Sequence, residues 1–235
     1  MSTVRFRYDA SSKMSDMITT HPLLMTLLPR FGLSLGFGDK SVGDVCAVAG
    51  VDTDLFVLTC SIYATGGIVP AREHVLATSM KQLVPYLQRS HDLYLNKRLP
   101  HIAGHMKQIA ERLPERAGTA LLQFFDDYCN EMREHFAHEE LTVFPYITAL
   151  QQGLDTHDYS IDTFLVNHGN IEAKFEDLLQ IIFKYLPHEV ADADDDMVNL
   201  VYDILLLAGD LHCHAVVEEQ VMVPYVKQLE QEVKQ

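Results

Sequence analysis

Two histidine and glutamate pairs with identical spacing are the residues of this chain best suited to metal chemistry. Residues 135–146 read HFAHEELTVFPY and residues 214–225 read HAVVEEQVMVPY, so the two segments repeat at one offset of 79 residues. In each segment a histidine lies four residues before a glutamate, and on an α-helix these positions are about 40° apart on one face. Each copy therefore directs an imidazole and a carboxylate to the same point. The pairs are His135 with Glu139 and His214 with Glu218.

A further histidine precedes each pair at a similar distance. His91 lies 44 residues before His135, and His168 lies 46 residues before His214. Four imidazoles and two carboxylates suit two metal ions held between helices, with each carboxylate bridging the pair. Imidazole and carboxylate favour first-row metals of intermediate softness, and the pattern contains no thiolate, which argues against structural zinc. We therefore predict two non-haem iron ions, with coordination positions left for an oxo or hydroxo bridge and a small diatomic ligand.

The alternative interpretation is a solvated helix face, since histidine and glutamate are common on exposed helices. A single pair would arise often by chance, whereas two pairs at one offset, each with its own upstream histidine, favour the metal site. Glu140 and Glu219 are also doubled, but they lie about 100° around the helix and are expected to support the ligands or meet solvent. His138 has no counterpart in the second copy. His105 as an access-path residue and Glu172 as a seventh ligand stay open.

Long helices must position these residues. Apolar residues recur at helical spacing beyond residue 80, and no alternating β-branched run indicates a strand, so the predicted class is all-α. Prolines within these segments predict kinks, at residues 100, 145 and 224. The predicted helices lie near 80–112, 117–151, 157–186 and 196–233.

The first part of the chain has a different texture, with short segments separated by turn residues. Ser41 and Asp44 are spaced as a capping box for a helix that Gly50 ends, and Asp52 is placed to cap the next helix. We predict three parts: a small helical domain over 1–65, a linker over 66–79, and a four-helix bundle over 80–235.

Composition excludes several classes of partner. The chain has 235 residues and a formal net charge of −15, which would repel nucleic acid and anionic membranes. Its four cysteines are too dispersed for a disulfide framework and suit a reducing compartment. The N-terminus lacks an apolar signal core, and we find no stretch that approaches the ~18 apolar residues of a membrane span. These features predict a cytoplasmic protein.

The motif segments resemble those of the hemerythrin-like iron-sulfur cluster repair di-iron proteins. The segments that carry the resemblance are SHDLYLNKRLPHI at 90–102, HFAHEELTVFP at 135–145, NHGNIEAKF at 167–175 and HAVVEEQVMVP at 214–224, and residues 16–60 resemble the small helical domain that precedes the bundle in that family. The resemblance implies a role in nitrosative or oxidative stress, with nitric oxide or dioxygen as ligand and iron-sulfur proteins as partners. It leaves a homodimer open. The iron ligands that it implies are His91, His135, Glu139, His168, His214 and Glu218.

The chain departs from this family in its small domain. Where the family has an adjacent Cys-Cys pair, residues 35–40 read LGFGDK. Cys46 and Cys60 are expected to be small buried hydrophobic residues rather than substitutes. Three functions therefore stay open: a stress protein that binds or reduces nitric oxide or supports repair, a dioxygen, nitric oxide or redox sensor without turnover, and a metal-free scaffold.

Overall fold

The computed structural model describes residues 8–154, 159–167, 172–186 and 195–233. Within these ranges every named element is helical, and the only strand-like pairing is an isolated bridge between Lys13 and Ser41. The all-α prediction is confirmed.

Short helices form the first part of the chain. Ser41 and Asp44 make the predicted capping box, and Gly50 ends that helix with φ +67°. The Asp52 carboxylate accepts from the backbone N–H groups of Asp54 and Leu55 and so caps the next helix, as predicted. The elements are α1 (Met14–Thr20), a 3₁₀ turn (Pro22–Thr26), α2 (Leu27–Arg30), α3 (Val42–Ala49), α4 (Thr53–Thr65) and α5 (Arg72–Ala77).

Longer helical runs follow, and three of them begin and end within three residues of the predicted positions. The first run is α6 (Leu83–Leu93), a π-helical turn (Tyr94–Arg98) and α7 (Leu99–Ala110); the second is α8 (Glu115–His138), a π turn (Glu139–Val143) and α9 (Phe144–Gln151). The third predicted helix is described as α10 (Ile161–Asn167) and α11 (Glu172–Tyr185). The last run is α12 (Asp195–Val217), a π turn (Glu218–Met222) and α13 (Val223–Val233).

Each of these π turns is followed by a proline. Pro100, Pro145 and Pro224 lie two residues after the last residue of their π turns. Proline has no N–H and its ring clashes with the carbonyl four residues earlier, which in each case belongs to the π turn. Because a π turn replaces the regular i−4 hydrogen bonds, it accommodates the proline inside a continuous helix. The structure thus has π turns at the three positions where kinks were predicted.

The chain divides into two compact units. The first comprises Met1–Ser90, Thr142–Val166 and His212–Gln235. Its core contains Phe31, Phe56 and Tyr86 among many aliphatic residues. The buried Arg30 guanidinium in this unit donates to the Tyr63 hydroxyl over 2.8 Å.

The second unit comprises His91–Leu141 and Asn167–Leu211 and has its own core. Aromatic side chains fill much of it, and the Tyr128 and Phe175 rings meet edge to face with centroids 4.4 Å apart. The domain boundaries predicted near residues 65 and 80 are a different kind of division from these compact units. They stay a prediction.

Among the residues that the structure describes, one helix is long and apolar enough to cross a membrane, judged by length and composition alone. Asp195–Val233 contains an 18-residue window of mean hydropathy 1.5, so the expectation that no stretch approaches this length was wrong. Half of that window is buried inside the structure, and the core helix of a soluble protein passes the same test. A single helix of this kind is weak evidence for a membrane span.

Candidate metal centre

The Glu139 carboxylate lies between two imidazoles. His91, in the last turn of α6, places Nε2 3.1 Å from Glu139 Oε2. His135, in the last turn of α8, places Nε2 3.0 Å from Glu139 Oε1. Glu139 is 0% exposed, although it begins a π turn in a helix whose opposite face meets solvent. Each of its oxygens therefore faces a different histidine.

The second copy of the motif makes the same local contact. His214 Nε2, near the end of α12, lies 2.9 Å from Glu218 Oε1 at the start of the following π turn. Both side chains are buried. The i, i+4 spacing thus brings an imidazole and a carboxylate together in both copies, as predicted.

Four of the predicted ligands form one buried group. The ligand atoms of His91, Glu139, His214 and Glu218 all lie within 4.8 Å of one another. Two imidazole nitrogens and two carboxylates at this separation could hold a metal ion.

The donor set fits a metal on both distance and charge. Two ligand atoms at about 2.1 Å from one metal are about 3.0 Å apart in octahedral and about 3.4 Å apart in tetrahedral geometry, close to the observed contacts. Hydrogen bonds span a similar range, so distance alone does not decide. Burial decides in favour of a metal, because two carboxylates enclosed this close together repel each other and have lost their hydration. A divalent cation compensates both costs.

Neighbouring groups orient His91. Glu140 Oε1 accepts a hydrogen bond from His91 Nδ1 over 2.9 Å, and the other ring nitrogen, Nε2, faces Glu139. The Phe136 ring stacks on the imidazole with centroids 4.0 Å apart and planes 13° apart. These two contacts fix the orientation of the imidazole. Glu140 therefore supports a candidate ligand, in line with its expected position outside the ligand set.

Tyr94 and Asp210 are buried polar residues that the sequence analysis missed. The Tyr94 hydroxyl donates to Asp210 Oδ1 over 2.8 Å, and both residues are buried. Tyr94 lies one turn after His91, and Asp210 lies one turn before His214. One feature of the sequence does point to Asp210: it is an aspartate within the apolar stretch LLLAGDL, four residues before the candidate ligand His214.

The remaining candidates are distributed as follows. His168 lies outside the described residues, and so does the side chain of Glu172. His138 is exposed, as expected of a residue without a counterpart in the second copy. Glu219 is exposed too. His105 lies beside His101 and Asp203.

All four cysteines are buried, and none of them forms a disulfide. Burial raises the pKa of the Cys46 thiol to about 11, an effect that a hydrogen bond with Thr53 partly offsets. Burial also raises the pKa of Cys60 well above its ordinary value. Both thiols are therefore neutral near pH 7 and poor nucleophiles.

Comparison with known proteins identifies no relative of this chain. No protein-family model, curated protein or solved structure matches this chain. The resemblance to hemerythrin-like repair proteins therefore rests on the motif residues, and the functional argument rests on the buried histidine and glutamate group.

Proposed function

We propose that this chain is a non-haem di-iron protein of the nitrosative or oxidative stress response, which binds or reduces nitric oxide. The observation that carries the proposal is the buried group of His91, Glu139, His214 and Glu218. The proposed architecture around it is a hemerythrin-like four-helix bundle built from the long helical runs, with the fourth imidazole supplied by His168.

Two metal ions, rather than one, account best for the position of His135. Its Nε2 faces Glu139 Oε1, while His91 Nε2 faces Oε2 of the same carboxylate. A carboxylate that bridges two metals offers one oxygen to each, so an imidazole beside each oxygen is the arrangement a bridge requires. By the repeat, Glu218 and His214 would hold the metal pair from the other side. The carboxylates would then spread their charge over both ions.

Iron is the proposed metal because the donors are imidazole and carboxylate only, and because a pair of ferrous ions supplies two electrons. Two electrons and two protons convert two nitric oxide molecules to one nitrous oxide and one water. Two of the chain's own residues orient the candidate ligand His91: Phe136 covers one face of its ring, and Glu140 contacts its Nδ1. Nitric oxide is uncharged, so the net charge of −15 does not oppose its entry.

Metal analysis followed by nitric oxide addition tests this proposal. Purified protein is expected to contain two irons per chain. Addition of nitric oxide to the reduced protein is expected to change its optical spectrum and, if turnover occurs, to release nitrous oxide into the headspace. If the spectrum of the iron-loaded protein does not change when nitric oxide is added, this proposal is wrong. Absence of bound metal would favour the scaffold interpretation.

A second candidate is a sensor that binds nitric oxide or dioxygen, or responds to redox state, without turnover. The observation that favours it is the state of the thiols: the Cys-Cys pair is missing, and the pKa values of Cys46 and Cys60 are raised by burial, so the groups suited to sulfur or electron transfer are absent or inert. A sensor must change conformation on ligation. Trypsin cleavage at the exposed Arg72, in α5, would then differ between ligated and unligated protein, and identical cleavage would count against a sensor.

Another proposed function of the same site is support of iron-sulfur cluster repair. It predicts that the iron-loaded protein restores activity to an iron-sulfur protein damaged by nitric oxide, while the metal-free protein does not. We place this activity in the reducing cytoplasm, with neither nucleic acid nor membrane as partner. The four cysteines, which form no disulfide, support the reducing compartment.

A further inference from the structure

His101, His105 and Asp203 form a second cluster of metal-binding side chains, separate from the buried group. His101 and His105 are one turn apart on α7, and Asp203 lies on α12. Both histidines approach the same carboxylate oxygen: His101 Nε2 is 3.1 Å and His105 Nε2 4.0 Å from Asp203 Oδ2. All three ligand atoms lie within 4.8 Å of one another.

We propose that these residues bind one divalent first-row transition-metal ion, such as Zn²⁺, with its remaining coordination positions open to solvent. Two imidazoles and one carboxylate on one side of an ion are a recurrent donor set for such metals when other positions stay free. The site goes beyond the proposed di-iron function and shares no residue with it.

The geometry is close to that of a bound ion. For ligand bonds of about 2.1 Å, neighbouring donors are about 3.0 to 3.4 Å apart. The contact of 3.1 Å from His101 to Asp203 already has this length. The contact of 4.0 Å from His105 must shorten by about 0.6 to 1 Å to reach it. The His101 side chain is 57% exposed, and those of His105 and Asp203 are 21% and 18% exposed.

A simple ion pair accounts less well for this arrangement. One histidine suffices to donate a hydrogen bond to Asp203 Oδ2, yet two imidazoles converge on that oxygen, with ring centroids 4.8 Å apart and planes at 83°. The helix fixes the spacing of the two histidines, so little conformational freedom is lost when both bind one ion. The net charge of −15 raises the local concentration of cations.

One ion cannot serve both sites. His91 and His101 are ten residues apart on one helical run, which corresponds to about 15 Å along the axis. The open site also exchanges ions with solvent without unfolding, because His101 lies at the surface.

Calorimetric titration of the iron-loaded protein with Zn²⁺ tests this site. The unmodified protein is expected to take up one Zn²⁺ per chain. His105→Ala and Asp203→Asn are each expected to weaken this binding at least tenfold. His138→Ala, which removes an exposed histidine from α8, is the matched control and should leave it unchanged. Titration with Co²⁺ should give visible absorption bands that the same two substitutions abolish.

Two comparisons keep the result unambiguous. His101→Ala changes a mostly exposed side chain, so loss of Zn²⁺ binding with an unchanged melting temperature would exclude misfolding as the cause. Glu218→Gln should deplete iron but preserve Zn²⁺ binding at this cluster, so failure of the di-iron proposal and failure of this one are distinguishable. Absence of saturable Zn²⁺ binding, or binding indifferent to all three cluster substitutions, would overturn the proposal.

Discussion

Glu139 is the residue whose replacement best separates metal binding from folding. Its carboxylate is fully buried and lies about 3 Å from two imidazoles, His91 at 3.1 Å and His135 at 3.0 Å. In the metal-free protein an ionised carboxylate in this position is a burden, because burial removes its hydration and Glu218 lies nearby. We therefore predict that Glu139→Gln abolishes paired iron binding, yet melts at the same or a higher temperature than the unmodified protein when both are metal-free.

The order of stability should reverse with metal present. Iron-loaded unmodified protein is expected to melt above Glu139→Gln, because only the former gains the binding free energy. His138→Ala, an exposed neighbour, should alter neither iron content nor melting temperature. Equal effects of these two substitutions on iron content would show that the wrong helix face had been assigned to the site.

Glu140 acts on the site through His91 rather than as a ligand. Its side chain is 31% exposed, and it accepts the hydrogen bond from His91 Nδ1. Loss of such a contact frees the imidazole to rotate and lowers its basicity, which typically reduces metal affinity about 10- to 100-fold. Glu140→Gln should show this reduction in a competition titration against a metal chelator, with iron stoichiometry preserved at saturation. Glu134→Gln, an exposed glutamate on α8, serves as the control; indistinguishable affinities would remove Glu140 from the site.

The buried thiols predict how stability responds to alkaline pH. Burial raises the pKa of Cys46 from its ordinary value of 9.0 to about 11, so the folded state binds the proton more tightly than the unfolded chain. The resulting stabilisation is present below about pH 9 and is lost as pH rises towards 11. The free energy of unfolding, measured in urea between pH 8 and 10.5, should therefore fall. Cys46→Ala should make that slope shallower without abolishing it, because burial also raises the pKa of Cys60. An unchanged slope would contradict burial of Cys46 as a cause.

At the scale of the helix, the π turns explain why prolines are tolerated near the candidate ligands. The π turn Glu139–Val143 precedes Pro145, and buried Val143 and Phe144 hold it in place. In a regular helix, replacement of a proline by alanine would stabilise by about 3 kcal/mol. Here the clash is already relieved, and the unfolded chain gains freedom when proline is removed. Pro145→Ala should thus change the free energy of unfolding by less than about 1 kcal/mol.

Chemical denaturation of the metal-free protein measures this change. A gain close to 3 kcal/mol would mean that the proline strains a regular helix and that the π turn does not absorb the clash. Iron binding should survive the substitution, because packing rather than the proline ring holds Glu139 at the start of the turn.

Local sequence signals predict most of the helical elements but not the π turns. Apolar periodicity placed three long runs correctly, and the side chains of Ser41 and Asp52 identified two helix starts because a cap depends only on nearby atoms. A π turn depends on how the residues on both sides of it pack. The prolines therefore predicted only kinks.

At the scale of the whole molecule, spacing predicted which side chains could meet but not which others would join them. The i, i+4 pairs form because the helix itself brings them together, and His91 was found through its matching distance upstream. Tyr94 and Asp210 were missed, since a contact between residues 116 positions apart depends on tertiary packing. His105 was considered only as an access-path residue, because Asp203 reaches it and His101 from a different helix.

Metal removal tests the coupling between the site and the stability of the molecule. An ion held at a free concentration a thousandfold above its dissociation constant stabilises by about 4 kcal/mol. For a chain of this size that corresponds to roughly 10 °C in melting temperature. Prolonged chelation should therefore lower the melting temperature of the iron-loaded protein by this order. The double substitution Glu139→Gln, Glu218→Gln should be insensitive to chelator, since it removes both buried carboxylates. A melting temperature unaffected by chelation in the unmodified protein would mean that the buried histidines and glutamates are held together without a metal, and the proposed di-iron chemistry would have no site.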